Sequence, residues 1–496
     1  MHSLVFLCAR QVIQDQVFAC QALAFLPQEL YAVLFKAAFL DRKTLVLQKL
    51  VQMWPFPLLS FHQLLRENSS DCRRIPLQER PTKESVQAVI LGLSARLREP
   101  PPRRKLQLQL LDMTGILDSG YEEDLTTMTM WSRTVSVIQT CIMGQLNKSL
   151  RQRRRRAKRR KAVPPIYTPT PIEVRVDLRV THSSYGFLKD TLQTSAFSPL
   201  RLCCRDFRAE ELPLNSTVDM LELLDPMHLR RVDLCFNSLE LSGLCELMAS
   251  IVKFNNLLSL KLQYSYVDLW QLSSEAEESF RLFITELNKL NRLRELNLGS
   301  SCLSGRLGQL LSALQDPLES LEVAFCYLLP TDLRYLAQSP HGPHLKKLDL
   351  SGNNLSGALL GPFQSVLKAV CVSLTLLNVT ECELMDTHLI STLPSLCRCV
   401  HLRYLGLYGN PLSTSGLKTL LVRSEVLSEL QLVVYPFPVD CYEILPWPPP
   451  AAILLDEEKF AHVQAELRQM LLSADRTNVL WTTDVYGPNM PDYFSL

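Results

Sequence analysis

Fifteen cysteines and nine histidines are the residues of this 496-residue chain that could ligate a metal or attack a carbonyl. Their spacing argues against both roles. No two cysteines form a CxxC pair; Cys203 and Cys204 are adjacent, and Cys397 and Cys399 are two apart. Neither arrangement suits a zinc site or a disulfide framework. Cys235, Cys326 and Cys382 sit inside hydrophobic patterns, where cysteine acts as a small apolar residue. His62, His228 and His401 read as ordinary surface or coil residues. There is no HExxH, no phosphate-cradling glycine loop and no GxSxG. The sequence therefore predicts a reduced, intracellular, non-enzymatic protein with no catalytic, cofactor-binding or metal residues and no small-molecule substrate.

The spacings that do carry meaning are apolar and suit docking. In "SLVFLCARQV", Ser3, Leu4, Cys8 and Val12 fit the elongin-binding box. On a helix, Leu4, Cys8 and Val12 fall at i, i+4 and i+8, along one side. Such a contact needs a large Leu to enter a pocket and a small residue one turn on, so that the helix approaches closely. "LPQELYAVL" fits the cullin-selecting box through Leu26, Pro27, Leu30 and Leu34, and Pro27 suits a first helical turn. Elongin B/C and a cullin are the partners such boxes take. Plain amphipathic core helices would match both patterns too, and that reading stands beside the first.

The elements that position these residues follow from a repeat. LxxLxLxxNxL appears as "LRRVDLCFNSL" from Leu229, "LKKLDLSGNNL" from Leu345, "LTLLNVTECEL" from Leu374 and "LRYLGLYGNPL" from Leu402. Looser copies begin at Leu257, Leu293, Leu318 and Leu427. The successive starts are 28, 36, 25, 27, 29, 28 and 25 residues apart. That is leucine-rich-repeat spacing in its long form, with one strand and one helix per coil. Positions 1, 4, 6 and 11 must point inward. Position 9 (Asn237, Asn353, Asn410, or a Cys or Ser in its place) must satisfy buried backbone groups. The predicted fold class is an α/β leucine-rich-repeat solenoid, a horseshoe of ribonuclease-inhibitor-like long repeats, with an α-helical N-terminal module and a C-terminal cap.

Residues 1–99 are expected to be helical throughout, with a helix over 82–98 capped by Thr82. Irregular early repeats occupy 100–228, with strands in "LQLLDMTGIL" (108–117), "IEVRVDLRV" (172–180) and "PLRLCCRDF" (199–207). They carry an acidic loop (119–130), a helix (131–146) and a basic, proline-rich insert (147–171). Regular repeats fill 229–434, and 435–496 forms the cap, with a helix near 456–473.

The 47% hydrophobic and 21% charged composition is that of a globular protein. No apolar run reaches membrane-spanning length, and the N-terminal run is too short and polar-studded for a signal peptide. The net charge of +2 hides an asymmetry: nine cations lie in "RQRRRRAKRRK" (151–161), leaving 43 basic against 50 acidic residues elsewhere. This run reads either as an import signal, giving a nuclear pool beside a cytoplasmic one, or as a solvated loop. It lacks interleaved aromatics, so nucleic-acid stacking is not expected.

Positions 5, 7 and 8 of each coil face out from the concave sheet. They supply Phe236, Tyr264, Phe325 and Tyr408, with acids at Asp233, Glu322, Asp349 and Glu381. Aromatic anchors beside charges are the makeup of a binding hot spot, here for a helical or basic segment of a protein partner. The alternative is that some of these rings fold over the sheet edge as packing.

"LPQELYAVLFKAAF", "WPFPLLSF", the repeats, "SPLRLCCRD" and the closing "YPFPVDCYE" resemble the family of the melanoma antigen PRAME, over the whole chain. The arginine run at 151–161 departs from the family pattern. The resemblance implies a leucine-rich-repeat fold without enzymatic activity. A branch of the family is implied to restrain Toll-like-receptor signalling to NF-κB by binding the β subunit of the inhibitor-of-κB kinase. The founding member is similar in carrying elongin and cullin boxes, as a substrate receptor of a Cullin-2 ubiquitin ligase.

Overall fold

Leucine at the first, fourth and sixth positions of a coil forces a short strand, because only an extended chain turns alternate side chains to one side. The computed structural model describes residues 3–65, 83–98, 108–115, 171–195, 200–237, 239–264, 268–270, 272–445 and 452–485. The basic run, the acidic loop, Thr82 and the helix expected at 131–146 lie outside them. The chain divides into two compact units, Met1–Arg231 and Val232–Leu496.

The first unit begins with helices α1 (Leu4–Val12), α2 (Gln16–Ala22), α3 (Tyr31–Leu40) and α4 (Thr44–Met53). It is not helical throughout. Pro55 and Pro57 stop α4, and a strand, β1 (Leu58–Ser60), follows before α5 (Phe61–Leu65) and α6 (Lys83–Arg98). β1 pairs in parallel with β2 (Leu110–Asp112), which pairs with β3 (Ile172–Val180), which pairs with β4 (Leu200–Ala209). The strict alternation of "IEVRVDLRV" turns Ile172, Val174, Val176, Leu178 and Val180 into the core and leaves the charged residues on the other face.

The helices are bound by aromatic contacts. The Phe35 ring lies 5.5 Å from Phe61, 5.8 Å from Trp54 and 6.1 Å from Phe39. α6 approaches α4 so closely at Gly92 that an added Cβ would lie 2.4 Å from the Gln48 carbonyl oxygen. Arg96, buried on α6, donates to the Trp54 carbonyl at 2.8 Å. Burial pushes its pKa down.

In the second unit each coil contributes a three-residue strand: β5 (Arg231–Asp233, starting at the division), β6 (Ser259–Lys261), β7 (Glu295–Asn297), β8 (Ser320–Glu322), β9 (Lys347–Asp349), β10 (Leu376–Asn378), β11 (Tyr404–Gly406) and β12 (Leu432–Val434). From β6 to β12 they pair in parallel and in register, so Leu260, Leu296, Leu321, Leu348, Leu377, Leu405 and Val433 form one buried row. Helices such as Glu240–Ile251 and Leu360–Val370 return the chain between strands.

The last coil is registered differently from the sequence expectation. "LSELQLVVY" holds two overlapping patterns, one from Leu427 and one from Leu430. Pairing with β11 sets Val433 beside Leu405, so the coil starts at Leu430 and turns Val433 and Tyr435 inward. Leu432 then faces the opposite side.

Position 9 works as the repeat requires. Asn353 donates to the carbonyls of Val323 (2.9 Å) and Leu350 (2.8 Å) and accepts from the N–H groups of Cys326 and Leu328. Asn410 repeats this one coil later but one, with Val379, Leu407, Cys382 and Leu384. Cys326 and Cys382 take the same position in the coils just before these two, each with a thiol 3.3 Å from a buried carbonyl of the preceding strand's end. After β12 come a hairpin of β13 (Tyr442–Leu445) and β14 (Ala452–Leu455), the helix Glu457–Ser473, and β15 (Leu480–Thr482). β15 pairs with β12, so the C-terminal segment adds a strand that the sequence pattern did not reveal. No helix among the described residues is long and apolar enough to cross a membrane.

Candidate partner-binding site

The eighth position of a coil turns the chain at the end of its strand. Phe236, Tyr264, Ser300, Phe325 and Glu381 all have φ between 55° and 61°, and the glycines at the same position, Gly352 and Gly409, have 67° and 69°. The left-handed conformation costs a non-glycine residue about 1–2 kcal/mol. A ladder holds it: the position-8 N–H donates to the position-7 carbonyl of the next coil. Phe236 bonds Gln263, Tyr264 bonds Gly299, Phe325 bonds Ser351 and Glu381 bonds Tyr408, at 2.7–3.0 Å.

These corners send each side chain toward its successor. Phe236 stacks on Tyr264 with ring centroids 4.6 Å apart. Phe325 lies over Gly352, where an added Cβ would sit 2.0 Å from the ring. Glu381 lies over Gly409 in the same way, at 2.6 Å. Both earlier readings of these rings therefore have a structural counterpart. They pack along the corner, yet Phe236 remains 51% and Phe325 40% exposed.

The acids are more committed. Glu322 pairs with Lys347 at 2.9 Å and lies 3.7 Å from Lys261, which also reaches Glu295 at 3.1 Å. Asp349 accepts from Ser351 N (2.9 Å), Ser351 Oγ (2.6 Å) and Asn378 Nδ2 (3.1 Å). Burial, then the neighbouring Glu322, raise its pKa above the usual carboxylate value. Asp233 accepts from Cys235 N at 3.1 Å. Glu322 and Asp349 tie neighbouring strands together and Asp233 holds the turn after its own strand, whereas Glu381 is exposed. Tyr408 stands apart from the ring row. It packs on a second cluster of Leu376, Tyr404, Leu432 and Val434, with Val485 and the Phe437 ring beside it.

The N-terminal box residues separate into two groups. Ser3 caps α1, its hydroxyl accepting the Phe6 N–H at 3.2 Å. Phe6 and Ala9 face inward, while Leu4 (76% exposed), Cys8 and Val12 face solvent. Leu26 and Leu30 are half-buried and Pro27 is exposed, but Leu34 belongs to the core of α3. Phe25, just before them, is 88% exposed.

For chemistry, the buried thiols are poorly placed. Burial pushes Cys203 up to about 11 and Cys326 up to about 12, the reverse of what a nucleophilic thiol needs. Sequence spacing did not bring together Glu173, Cys203 and His228, whose donor atoms lie within 4.8 Å of one another. The signal was their separation of 30 and 25 residues, about one coil each.

The PRAME N-terminal domain matches residues 2–121, and the PRAME C-terminal domain matches residues 180–492. Leucine-rich repeat-containing protein 14 of Bos taurus is 57% identical over 507 aligned residues, and that of Homo sapiens 56%, each covering 100% of both chains. The Xenopus laevis protein of the same name is 50% identical, again with 100% of both chains covered. Among solved structures, an internalin of Listeria monocytogenes aligns at 12% identity over 54% of this chain and 67% of its own, with a TM-score of 0.27.

Proposed function

Because the chain belongs to the PRAME family of leucine-rich-repeat proteins, we propose that it acts without catalysis of its own, as a regulator that holds another protein on the corners and strand face of its second unit. The observation that carries this is the set of aromatic side chains fixed at exposed left-handed corners, Phe236 and Phe325 above all. Rigid aromatic area ordered before binding costs little entropy when a partner arrives. The partner that the family resemblance suggests is the β subunit of the inhibitor-of-κB kinase. Occupying that subunit would keep the kinase from assembling with its regulatory subunit and restrain Toll-like-receptor signalling to NF-κB. The setting is the cytoplasm, with a nuclear pool if residues 151–161 act as an import signal.

The test is a pull-down of the kinase subunit by the full chain and by a Phe236→Ala, Phe325→Ala variant. Binding is expected to fall at least tenfold while the melting temperature changes little. Retained binding removes this surface from the proposal.

A second reading is favoured by the solvent-facing Leu4, Cys8 and Val12. In it α1 seats on elongin B/C, Cullin-2 joins through the residues around Leu26 and Pro27, and the chain delivers a bound protein for ubiquitination. Leu4→Ala combined with Cys8→Phe removes the large anchor and blocks close approach. Affinity purification with that variant should lose elongin and keep the kinase subunit. Loss of neither, or of both together, overturns the division of labour.

A further inference from the structure

Among the described residues one group gathers soft and borderline metal donors from three different elements. Glu173 stands on β3 and Cys203 on β4, and His228 lies in the segment that follows the helix Leu214–Leu223. In the β3–β4 register Glu173 sits opposite Arg201 and Arg175 opposite Cys203, so the carboxylate and the thiol share one face of the sheet. His228 closes over that face. Its Nδ1 is 3.2 Å from Asp225 Oδ2, which turns Nε2 toward Glu173, 3.8 Å away.

From this arrangement we infer that Glu173, Cys203 and His228 form a zinc-type metal site that clips strands β3 and β4 to the segment following the helix Leu214–Leu223. The donor set selects the ion: one thiolate, one imidazole and one carboxylate suit Zn²⁺ and exclude the oxygen-loving Ca²⁺ and Mg²⁺. With metal–donor bonds of about 2.0–2.3 Å, tetrahedral neighbours stand roughly 3.3–3.8 Å apart, so the donors need close by only about 1 Å. Asp225 supplies the outer carboxylate that fixes a ligating histidine's orientation and tautomer. Three protein donors leave a fourth position for water or an incoming ligand.

Charge is consistent with this role. Arg201 pairs with Asp225 at 3.0 Å, and the Arg175 guanidinium is 3.5 Å from Glu173, a long contact that a cation would replace. Binding exchanges a proton for the metal: the Cys203 S–H bond breaks, the S–metal bond forms, and the proton leaves to solvent. Two carboxylates and one thiolate then face one divalent ion and two guanidinium groups, a net charge of +1.

Cobalt(II) is the probe. The full-length protein, freed of metal by chelation, is titrated with Co²⁺ and followed by absorption. One saturable equivalent is expected, with a thiolate-to-cobalt charge-transfer band and ligand-field bands of tetrahedral intensity, displaced by one equivalent of Zn²⁺. Cys203→Ala should abolish the charge-transfer band, and Cys8→Ala, at an exposed cysteine, should preserve it. Asp225→Asn, which keeps the fold's shape, should weaken cobalt binding roughly 10–100-fold without removing the band. Far-ultraviolet circular dichroism checks that each variant is folded, and Glu173→Gln and His228→Gln, each expected to lower affinity, replace Cys203→Ala if it is not. A band that survives in Cys203→Ala, unchanged affinity in both Glu173→Gln and His228→Gln, or no saturable band in the parent protein overturns the assignment.

Discussion

Asn353 satisfies five backbone groups with one side chain, in a place that water does not reach. Asn353→Ala should cost about 2–4 kcal/mol, because it leaves carbonyls and N–H groups buried without partners. Urea unfolding followed by circular dichroism measures it, and a loss below 1 kcal/mol, roughly the worth of one ordinary hydrogen bond, would contradict the accounting. Gly352 carries two constraints, φ of +67° and the Phe325 ring upon it. Gly352→Ala should destabilise by about 2–4 kcal/mol, but by only about 1–2 kcal/mol in a Phe325→Ala background, where the backbone cost alone remains. A double-mutant cycle without that coupling would mean the ring is free to move aside.

His341 is a residue-scale source of acid sensitivity. Its Nδ1 accepts from Leu318 N at 3.1 Å and its Nε2 is 3.0 Å from the Leu311 carbonyl oxygen, so the ring is neutral with its proton on Nε2. Burial lowers its pKa below 6.5, opposed by the bond to Leu311 and reinforced by His344. The unfolded chain therefore takes up the proton first. The stability this residue contributes is complete above pH 6.5 and is lost as pH falls through the lower folded-state value. Urea midpoints should drop as pH falls below 6.5, and less steeply in His341→Gln.

At the scale of the element, α1 has one face for folding and one left over. Phe6→Ala removes an inward ring and should destabilise the first unit by about 3–5 kcal/mol, whereas Leu4→Ala, out in solvent, should change it by less than about 0.5 kcal/mol. Thermal unfolding of both variants decides whether α1 is held as described. The strands β6 to β11 were legible in the sequence because leucines bracket them at fixed intervals and each asparagine or cysteine marks the turn. β1 was not, since three residues between prolines and a helix carry no period of their own. The last coil misled because "LSELQLVV" offers apolar residues in both alternations, and only pairing with Tyr404–Gly406 chooses between them. The corner aromatics were legible by position. That Asp233, Glu322 and Asp349 were already engaged was not, because their partners come from neighbouring coils or from turn geometry.

At the scale of the whole molecule, repeats are stable only with neighbours, and the final one needs a substitute. β15 supplies it through its pairing with β12, helped by Arg476, which donates to the carbonyls of Ser424 and Leu427. Deleting residues 435–496 should uncover Leu432, Val433 and Val434 of β12 and send the chain to the void volume in size-exclusion chromatography. A monodisperse truncated chain would show that β12 needs no cover. Within their own units β1 pairs with β2 and β15 with β12; each of these two border strands is three residues long, and Pro57 at the entry to β1 offers no amide hydrogen. Cross-β fibres grow by recruiting chains onto long, straight, donor-rich margins. Borders as short as β1 and β15 give an incoming strand little to pair with, so coils can multiply beside them without offering a template for amyloid.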